Sequence, residues 1–184
     1  MKTSIGKRIF FVVAVSEDSG KTLVGEYLVR KYGTPMISSS ALLEDHCDVL
    51  LGLPAGTIHA ARAKPGQRNA YRQDLVDEGD RMRAAGFPPG VQCVREGYRI
   101  VDGLRAGDEL AASIAYARSV GLDPFVLCLD RFGKPPTDNT DVPGLTALAD
   151  AYIHNDWIDD KKALFEAVED AISGRRSFPA PGRG

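Results

Sequence analysis

The apolar positions along the chain alternate between short continuous runs and helical stripes. The strongest run follows Arg8 and is rich in β-branched and aromatic residues up to Val15. Such a run predicts a strand over 8–15 that is covered on both faces, as in a parallel α/β sheet. Residues 21–32 instead carry apolar side chains at helical spacing, and Gly33 then predicts the helix end.

The same two patterns continue to the end of the chain. Further strands are predicted at residues 35–38, 98–102, 124–129 and 149–154. Further helices are predicted at residues 38–50, 68–85, 106–120 and 158–172, separated by irregular stretches at 51–67, at Gly86–Gly90 and at 130–147. Strands that alternate with helices predict an α/β fold of three layers, a parallel sheet with helices on both faces.

Composition narrows the class of protein. The 184 residues are 43% hydrophobic and 26% charged, which excludes a collagen, a coiled coil or wholesale disorder. This length suits one domain, which we expect over residues 1–173, with a basic flexible tail over 174–184. Because the net charge is −2, any nucleic-acid contact requires a local basic patch.

Two further features bear on location. The three cysteines are far apart and odd in number, so neither a disulfide framework nor a zinc site is predicted, and a reducing cytoplasm is favoured. The apolar run at residues 9–15 is too short to span a bilayer, so no membrane partner is expected.

The segment after the first strand carries the main chemical signal. It matches the phosphate-loop pattern G-x-x-x-x-G-K-[ST] at all but its first position, between a strand and a helix as the pattern requires. Lys21 would reach the β- and γ-phosphates of ATP, and the Thr22 hydroxyl would ligate Mg²⁺. The alternative is that Ser19 and Gly20 form an ordinary turn, followed by chance by Lys21 and Thr22, that binds no phosphate. The candidate nucleotide-binding residues of the loop are Val15, Ser16, Glu17, Asp18, Ser19, Gly20, Lys21 and Thr22.

An acidic residue ends the third predicted strand. Phosphate-loop enzymes use an acid on a neighbouring strand to hold Mg²⁺, and Asp102 is the candidate here. It would bind the metal or accept the proton of the acceptor hydroxyl; an aspartate that only caps a helix is the alternative. Arg105 would lie near the phosphates. The catalytic candidates are Lys21, Asp102 and Arg105, and the metal candidates are Thr22 and Asp102.

A basic segment leads into the third predicted helix, that over residues 68–85. Residues 59–73 contain four cations and no acid: Arg62, Lys64, Arg68 and Arg72. On one helix, Arg68, Arg72 and Arg83 would lie within about 60° of one another, a stripe suited to an acceptor phosphate or a nucleic-acid backbone. A solvated face is the equal alternative. Arg131 and Lys134 could form a lid. The candidates for binding the acceptor are Ser39, Arg68, Arg72 and Arg131.

The order of these segments resembles one family, the phage-type deoxynucleoside monophosphate kinases and their relatives that phosphorylate 5-hydroxymethyluracil within phage DNA. The resemblance extends over about residues 8–173. Its motifs are Ser19-Gly20-Lys21-Thr22, Arg72 with Gly79, the segment from Arg99 to Arg105, Asp108-Glu109-Leu110, Asp138-Asn139-Thr140, and the segment from Ala149 to Asp156. It implies a P-loop fold of the nucleotide-kinase type, related to thymidylate kinase, with ATP and Mg²⁺ as cofactors.

The resemblance also implies residue roles and an activity. Asn155 and Asp156 would lie near the adenine end of ATP. The activity would be phosphorylation of the 5-hydroxymethyl group of 5-hydroxymethyluracil in DNA, a step in thymine hypermodification in the host cytoplasm. One alternative is a kinase of free deoxynucleoside monophosphates. A second is a non-catalytic protein that binds nucleotide or DNA, suggested by Val15, Glu17 and Asp18.

The chain departs from the family pattern in three ways. Val15 replaces the first loop glycine. Asp102 stands three residues before Arg105, where many free-nucleotide kinases of the group place the acid two before. The short chain predicts little room for a large lid or a monophosphate-binding insertion, which favours a polymeric acceptor.

Overall fold

The computed structural model describes residues 4–61, 64, 68–136, 140–156 and 160–175, with only the backbone of residues 68 and 69. Within this part of the chain the strands form one parallel sheet in the order β2-β3-β1-β4-β5. The strands are β1 (Arg8–Ala14), β2 (Met36–Ser38), β3 (Ile100–Asp102), β4 (Asp123–Asp130) and β5 (Ala151–His154).

Helices cover both faces of this sheet. They are α1 (Lys21–Tyr32), α2 (Ser39–Leu50), α3 (Thr57–Ala61), α4 (Arg72–Ala84), α5 (Pro89–Arg95), α6 (Gly107–Ser119), α7 (Val142–Leu148) and α8 (Lys161–Ser173). A short 3₁₀ turn (Arg68–Tyr71) precedes α4, so the helix predicted over 68–85 is α-helical only from Arg72.

The central strand divides its side chains between two cores because successive residues of a strand face opposite sides. Phe10 and Val12 pack in one core with α1 and α8, including Leu28 of α1. Phe11 and Val13 pack in the other core with α2, α5, α6 and α7. Both faces are therefore covered, and the predicted three-layer α/β fold is confirmed.

Three short helices lie where the sequence predicted breaks or irregular chain. The helix α5 begins at Pro89, since proline is tolerated in a first turn where its missing N–H is not needed. The helix α7 begins after Asp141, whose carboxylate accepts the Gly144 N–H at 3.0 Å. Helix α3 falls inside the stretch 51–67. The predicted break after the 68–85 helix is confirmed, since α4 ends at Ala84, but the sequence missed the new helix that begins at Pro89.

The region between β2 and β3 is larger than expected from the chain length. Four helices, α2 to α5, lie between residues 39 and 95. The segment between β2 and β3 is therefore substantial, contrary to the prediction that the short chain leaves little room for a large lid or a monophosphate-binding insertion.

The end of the chain is described only in part. The last helix ends at Ser173, and Gly174 caps it with a left-handed φ of 67°. Residues 176–184 lie outside the described residues, so the flexible tail stays a prediction, as does the single domain. No helix in the described ranges is long and apolar enough to cross a membrane.

Candidate nucleotide-binding site

The phosphate loop begins as an extension of the central strand. The Val15 N–H donates to the Leu129 carbonyl at 3.0 Å, and the Ser16 hydroxyl accepts the Arg131 N–H at 2.7 Å. The Val15 side chain is buried in the core. Since Val15 has no positive φ and its side chain packs in the core, this position does not require glycine, which accounts for valine at the first place of the pattern.

The middle of the loop turns at Asp18. Its φ of 51° is the one positive value for a non-glycine in the described part of the chain. Glu17 and Asp18 are both exposed, so their charges point outward from the protein. The Asp18 carboxylate lies 3.2 Å from Lys134 Nζ and 3.9 Å from Arg131 Nη1. The two cations expected to form a lid therefore lie beside the loop.

The end of the loop leads directly into α1. Gly20 has a φ of 88°, and no side chain caps the helix. The first turn of α1 contains no acidic residue. Backbone N–H groups at such a helix start have no partner within the helix, and the helix dipole favours an anion there. The geometry of residues 15–22 is that of a P-loop-like α/β protein.

Lys21 and Asp102 meet at the carboxyl end of the sheet. Asp102 ends β3 beside β1, where it pairs in register with Val12. Its Oδ2 lies 2.8 Å from Lys21 Nζ, and the Asp102 side chain is 5% exposed, against 28% for Lys21. Asp102 Oδ1 is buried with no hydrogen-bond partner among the residues that the structure describes. The two residues that the sequence selected are thus brought together, with one carboxylate oxygen unused.

The donor atoms at this point suit Mg²⁺. The unused Asp102 oxygen and the exposed Thr22 hydroxyl are hard oxygen ligands of the kind that Mg²⁺ prefers. Within the described ranges, no group of three or more His, Cys, Asp or Glu residues could hold a metal alone. Mg²⁺ is commonly held by one or two protein oxygens together with substrate phosphates, so these residues fit that cofactor.

The candidates on the acceptor side are spread more widely. Ser39 is buried at the start of α2, and a Cβ placed on Gly103 would lie 3.2 Å from its hydroxyl, so Ser39 adjoins the end of β3. Arg105 is exposed just beyond β3, and its carbonyl accepts the Asp141 N–H at 2.8 Å. These two positions flank Asp102.

The cationic stripe is only partly supported. Arg72 is exposed at the start of α4, but Arg83 pairs with Asp80 at 2.7 Å, which reduces the charge available to a ligand. The side chain of Arg68 and the whole of Arg62 lie outside the described residues, as do Asp138 and Asn139 of the resemblance.

Asn155 and Asp156 follow β5 next to the loop. The Asn155 side chain is 2% exposed, and its Nδ2 donates to the Ser19 carbonyl at 2.9 Å. Asp156 is exposed and accepts the Phe132 N–H at 3.4 Å. Asn155 therefore contacts the phosphate loop itself, and the adenine contact stays a prediction.

Asp130 belongs to the site although the sequence reading missed it. It ends β4, and its carboxylate accepts the Tyr152 hydroxyl at 2.8 Å and the Arg131 N–H at 2.7 Å. Burial opposes its charge, but hydrogen bonds from Ser16, Tyr152 and the Arg131 backbone outweigh burial and hold the pKa of Asp130 below its usual value. The signal was present, because an acid at the end of an apolar strand also singled out Asp102.

The histidines pair with carboxylates. His46 lies 3.1 Å from Glu96 and 3.4 Å from Glu78, and His59 lies 3.3 Å from Glu44. His154 lies 3.5 Å from Asp130.

Comparison with known proteins adds little to this picture. The sequence matches no protein-family model and no curated protein. The fold is similar to the crystal structure of a presumed kinase from Chloroflexus aurantiacus, with 12% identity, a TM-score of 0.47, and coverage of 91% of this chain and 97% of that one. A likeness at this level carries no argument. The description of the chain as an α/β protein with a P-loop-like segment therefore rests on its strand order and loop geometry.

Proposed function

We propose that this protein is an ATP-dependent kinase. The observation that carries the proposal is the contact of Lys21 Nζ with Asp102 Oδ2 at 2.8 Å, beside a loop of phosphate-binding form. A lysine beside the loop amides suits the β- and γ-phosphates, and an acid on the adjacent strand suits Mg²⁺ or a reacting hydroxyl.

The residues would divide the work as follows. Lys21 would leave Asp102 for the phosphates of ATP, since it is already partly exposed. Asp102 would then hold the metal or accept the proton of the acceptor hydroxyl. Thr22 and Asp102 would hold Mg²⁺, which would supply positive charge beside the phosphates. Arg105 and Arg131 would neutralise charge on the group in transfer.

For the acceptor we propose the 5-hydroxymethyl group of 5-hydroxymethyluracil in DNA, which the resemblance of the sequence implies. Exposed Arg72 would contact the DNA backbone, which binds mainly through such cations. A base within a duplex must leave the stack before its substituent can reach a buried carboxylate such as Asp102.

Free deoxynucleoside monophosphates are the second candidate acceptors. The four helices between β2 and β3 favour them, because such cover can enclose a small substrate. The pairing of Arg83 with Asp80 also weakens the case for a long cationic surface.

The test follows the terminal phosphate of γ-labelled ATP in the presence of Mg²⁺. The acceptors offered are 5-hydroxymethyluracil DNA, matched thymine DNA and a panel of free deoxynucleotides. Label in the modified DNA alone supports the first acceptor, and label in a mononucleotide alone supports the second. Absence of transfer to every acceptor, with ATP bound, would support a non-catalytic binding protein.

A matched pair of variants tests the site. Asp102→Asn should lower transfer by about a hundredfold or more, as expected when a positioned acid or metal ligand is lost. Asp123→Asn is the control, because Asp123 also forms an ion pair at 2.8 Å, with Arg8, but at the opposite end of the sheet. Full activity in Asp102→Asn would overturn the assignment of Asp102.

A further inference from the structure

Asn155 is buried against the backbone of the phosphate loop. It is 2% exposed, and its backbone N–H donates to the Asp130 carbonyl at 2.7 Å, one residue past the end of the β4–β5 ladder. Its Nδ2 donates to the Ser19 carbonyl at 2.9 Å. The side chain is thus fixed at both ends, by the sheet and by the loop.

The orientation of the amide is set by this contact. Reversing the group would place Oδ1 against the Ser19 carbonyl, where two acceptors repel. In the present orientation Oδ1 is buried and has no partner within the described ranges. A buried acceptor without a partner is unfavourable, and an apolar side chain would avoid it. The position therefore serves a purpose other than packing.

The contact fixes the direction of the peptide between Ser19 and Gly20. A trans peptide holds its C=O and N–H on opposite sides, so the Gly20 N–H points away from Asn155. The Gly20 carbonyl is held too, since it accepts the Val24 N–H at 3.0 Å in the first turn of α1. A Cβ on Gly20 would lie 2.6 Å from Asn155 Nδ2, so the residue after Ser19 must be small.

We infer that Asn155 is a positioning residue that orients the Gly20 N–H toward bound phosphate. The inference rests on the proposed function, because it assumes that the loop binds phosphates. It differs from an adenine contact in its consequence. A residue that orients the loop affects every polyphosphate ligand, whereas a residue that touches the base affects only ligands that carry one.

The test compares ATP with inorganic tripolyphosphate, both with Mg²⁺, by calorimetric titration. Asn155→Leu keeps the branched shape and the number of heavy atoms but removes the amide. It should weaken both ligands about tenfold or more, the loss expected from one misdirected hydrogen bond to a charged group. Ser113→Ala is the control, because it also removes a buried hydrogen bond to a carbonyl, at 2.7 Å on α6, and should leave both affinities unchanged.

A second measurement is independent of ligand. The amide resonance of Gly20 should shift in Asn155→Leu and stay in place in Ser113→Ala. If Asn155→Leu does not fold, Asn155→Ser removes the same contact with less bulk and carries the same expectations.

The remaining outcomes each count against a specific statement. Loss of ATP affinity alone would make Asn155 a base contact and overturn the inference, as would unchanged affinity for both ligands. A wild-type protein that binds neither ligand would overturn the proposed function, and the inference with it.

Discussion

Replacing Gly20 with alanine adds one methyl group at the tightest point of the phosphate loop. Gly20 has a φ of 88°, where an L-residue is strained. The new Cβ would lie 2.6 Å from Asn155 Nδ2 and 3.2 Å from Leu164 Cδ2, closer than such atoms approach without movement. Both neighbours are buried, so neither has free space into which to retreat.

The size of the effect follows from two separate causes. The left-handed backbone costs about 1–2 kcal/mol for a residue with a Cβ. Displacing Asn155 breaks its bond to Ser19 and leaves a buried donor without a partner, which costs about 1–3 kcal/mol more. We therefore expect Gly20→Ala to lower the free energy of unfolding by about 2–5 kcal/mol.

Gly97 provides a matched control for the backbone strain. Its φ is 89°, almost the same as that of Gly20, but a Cβ there meets nothing within 4 Å. Gly97→Ala should therefore cost only about 1–2 kcal/mol. Urea denaturation of both variants measures the difference. If Gly20→Ala is no less stable than Gly97→Ala, Asn155 does not pack against Gly20.

Two further predictions concern stability and thiol chemistry. The Glu78 carboxylate accepts bonds from Arg81 Nε and Nη2 at 2.6 and 2.7 Å, and the hydrogen bond to Arg81 lowers the pKa of Glu78 below its ordinary 4.5 although burial opposes this. Glu78→Gln should therefore lower the free energy of unfolding by only about 1 kcal/mol at pH 7, since Arg81 is largely exposed. The difference in stability between wild type and variant should close as the pH falls through the lowered pKa of Glu78, and urea midpoints from pH 7 to 3 measure it. A difference that widens in acid would contradict this. Burial raises the pKa of Cys47 to about 11 and of Cys128 to about 12, and it raises the pKa of Cys93 as well. Ellman's reagent should therefore react with these three buried thiols only after the protein unfolds. Rapid reaction of the native protein at pH 7.5 would refute their burial.

The sequence predicted the fold where patterns are strong and local. A short apolar run rich in β-branched and aromatic residues favours a strand covered on both faces, and β1 is such a strand. The position of Asp102 beside Lys21 also followed, because neighbouring parallel strands end at the same edge of the sheet. Short helices such as α5 escaped prediction, since seven residues give too little periodicity and their first turns contain proline.

The parts of the site that could not be predicted depend on contacts distant in sequence. Nothing local to Val15 indicates that Leu129 binds its N–H and makes glycine unnecessary. The contact of Asn155 with Ser19 joins residues that are 136 positions apart. Asp130 was predictable in principle, but the residues that stabilise its charge are distant in sequence: Tyr152 lies within β5, and Ser16 lies in the loop after β1.

The ion pair between Lys21 and Asp102 makes anion binding an exchange reaction. An anion that enters the loop can pair with Lys21 only if Lys21 leaves Asp102. A singly charged anion would therefore gain little binding free energy, because it only replaces the carboxylate as the partner of Lys21. A chain of phosphates can contact Lys21 and the loop amides at once, and its additional charges have no internal competitor at Lys21. If the loop binds phosphates as proposed, this ion pair would therefore favour ligands of high charge over singly charged anions such as chloride or acetate.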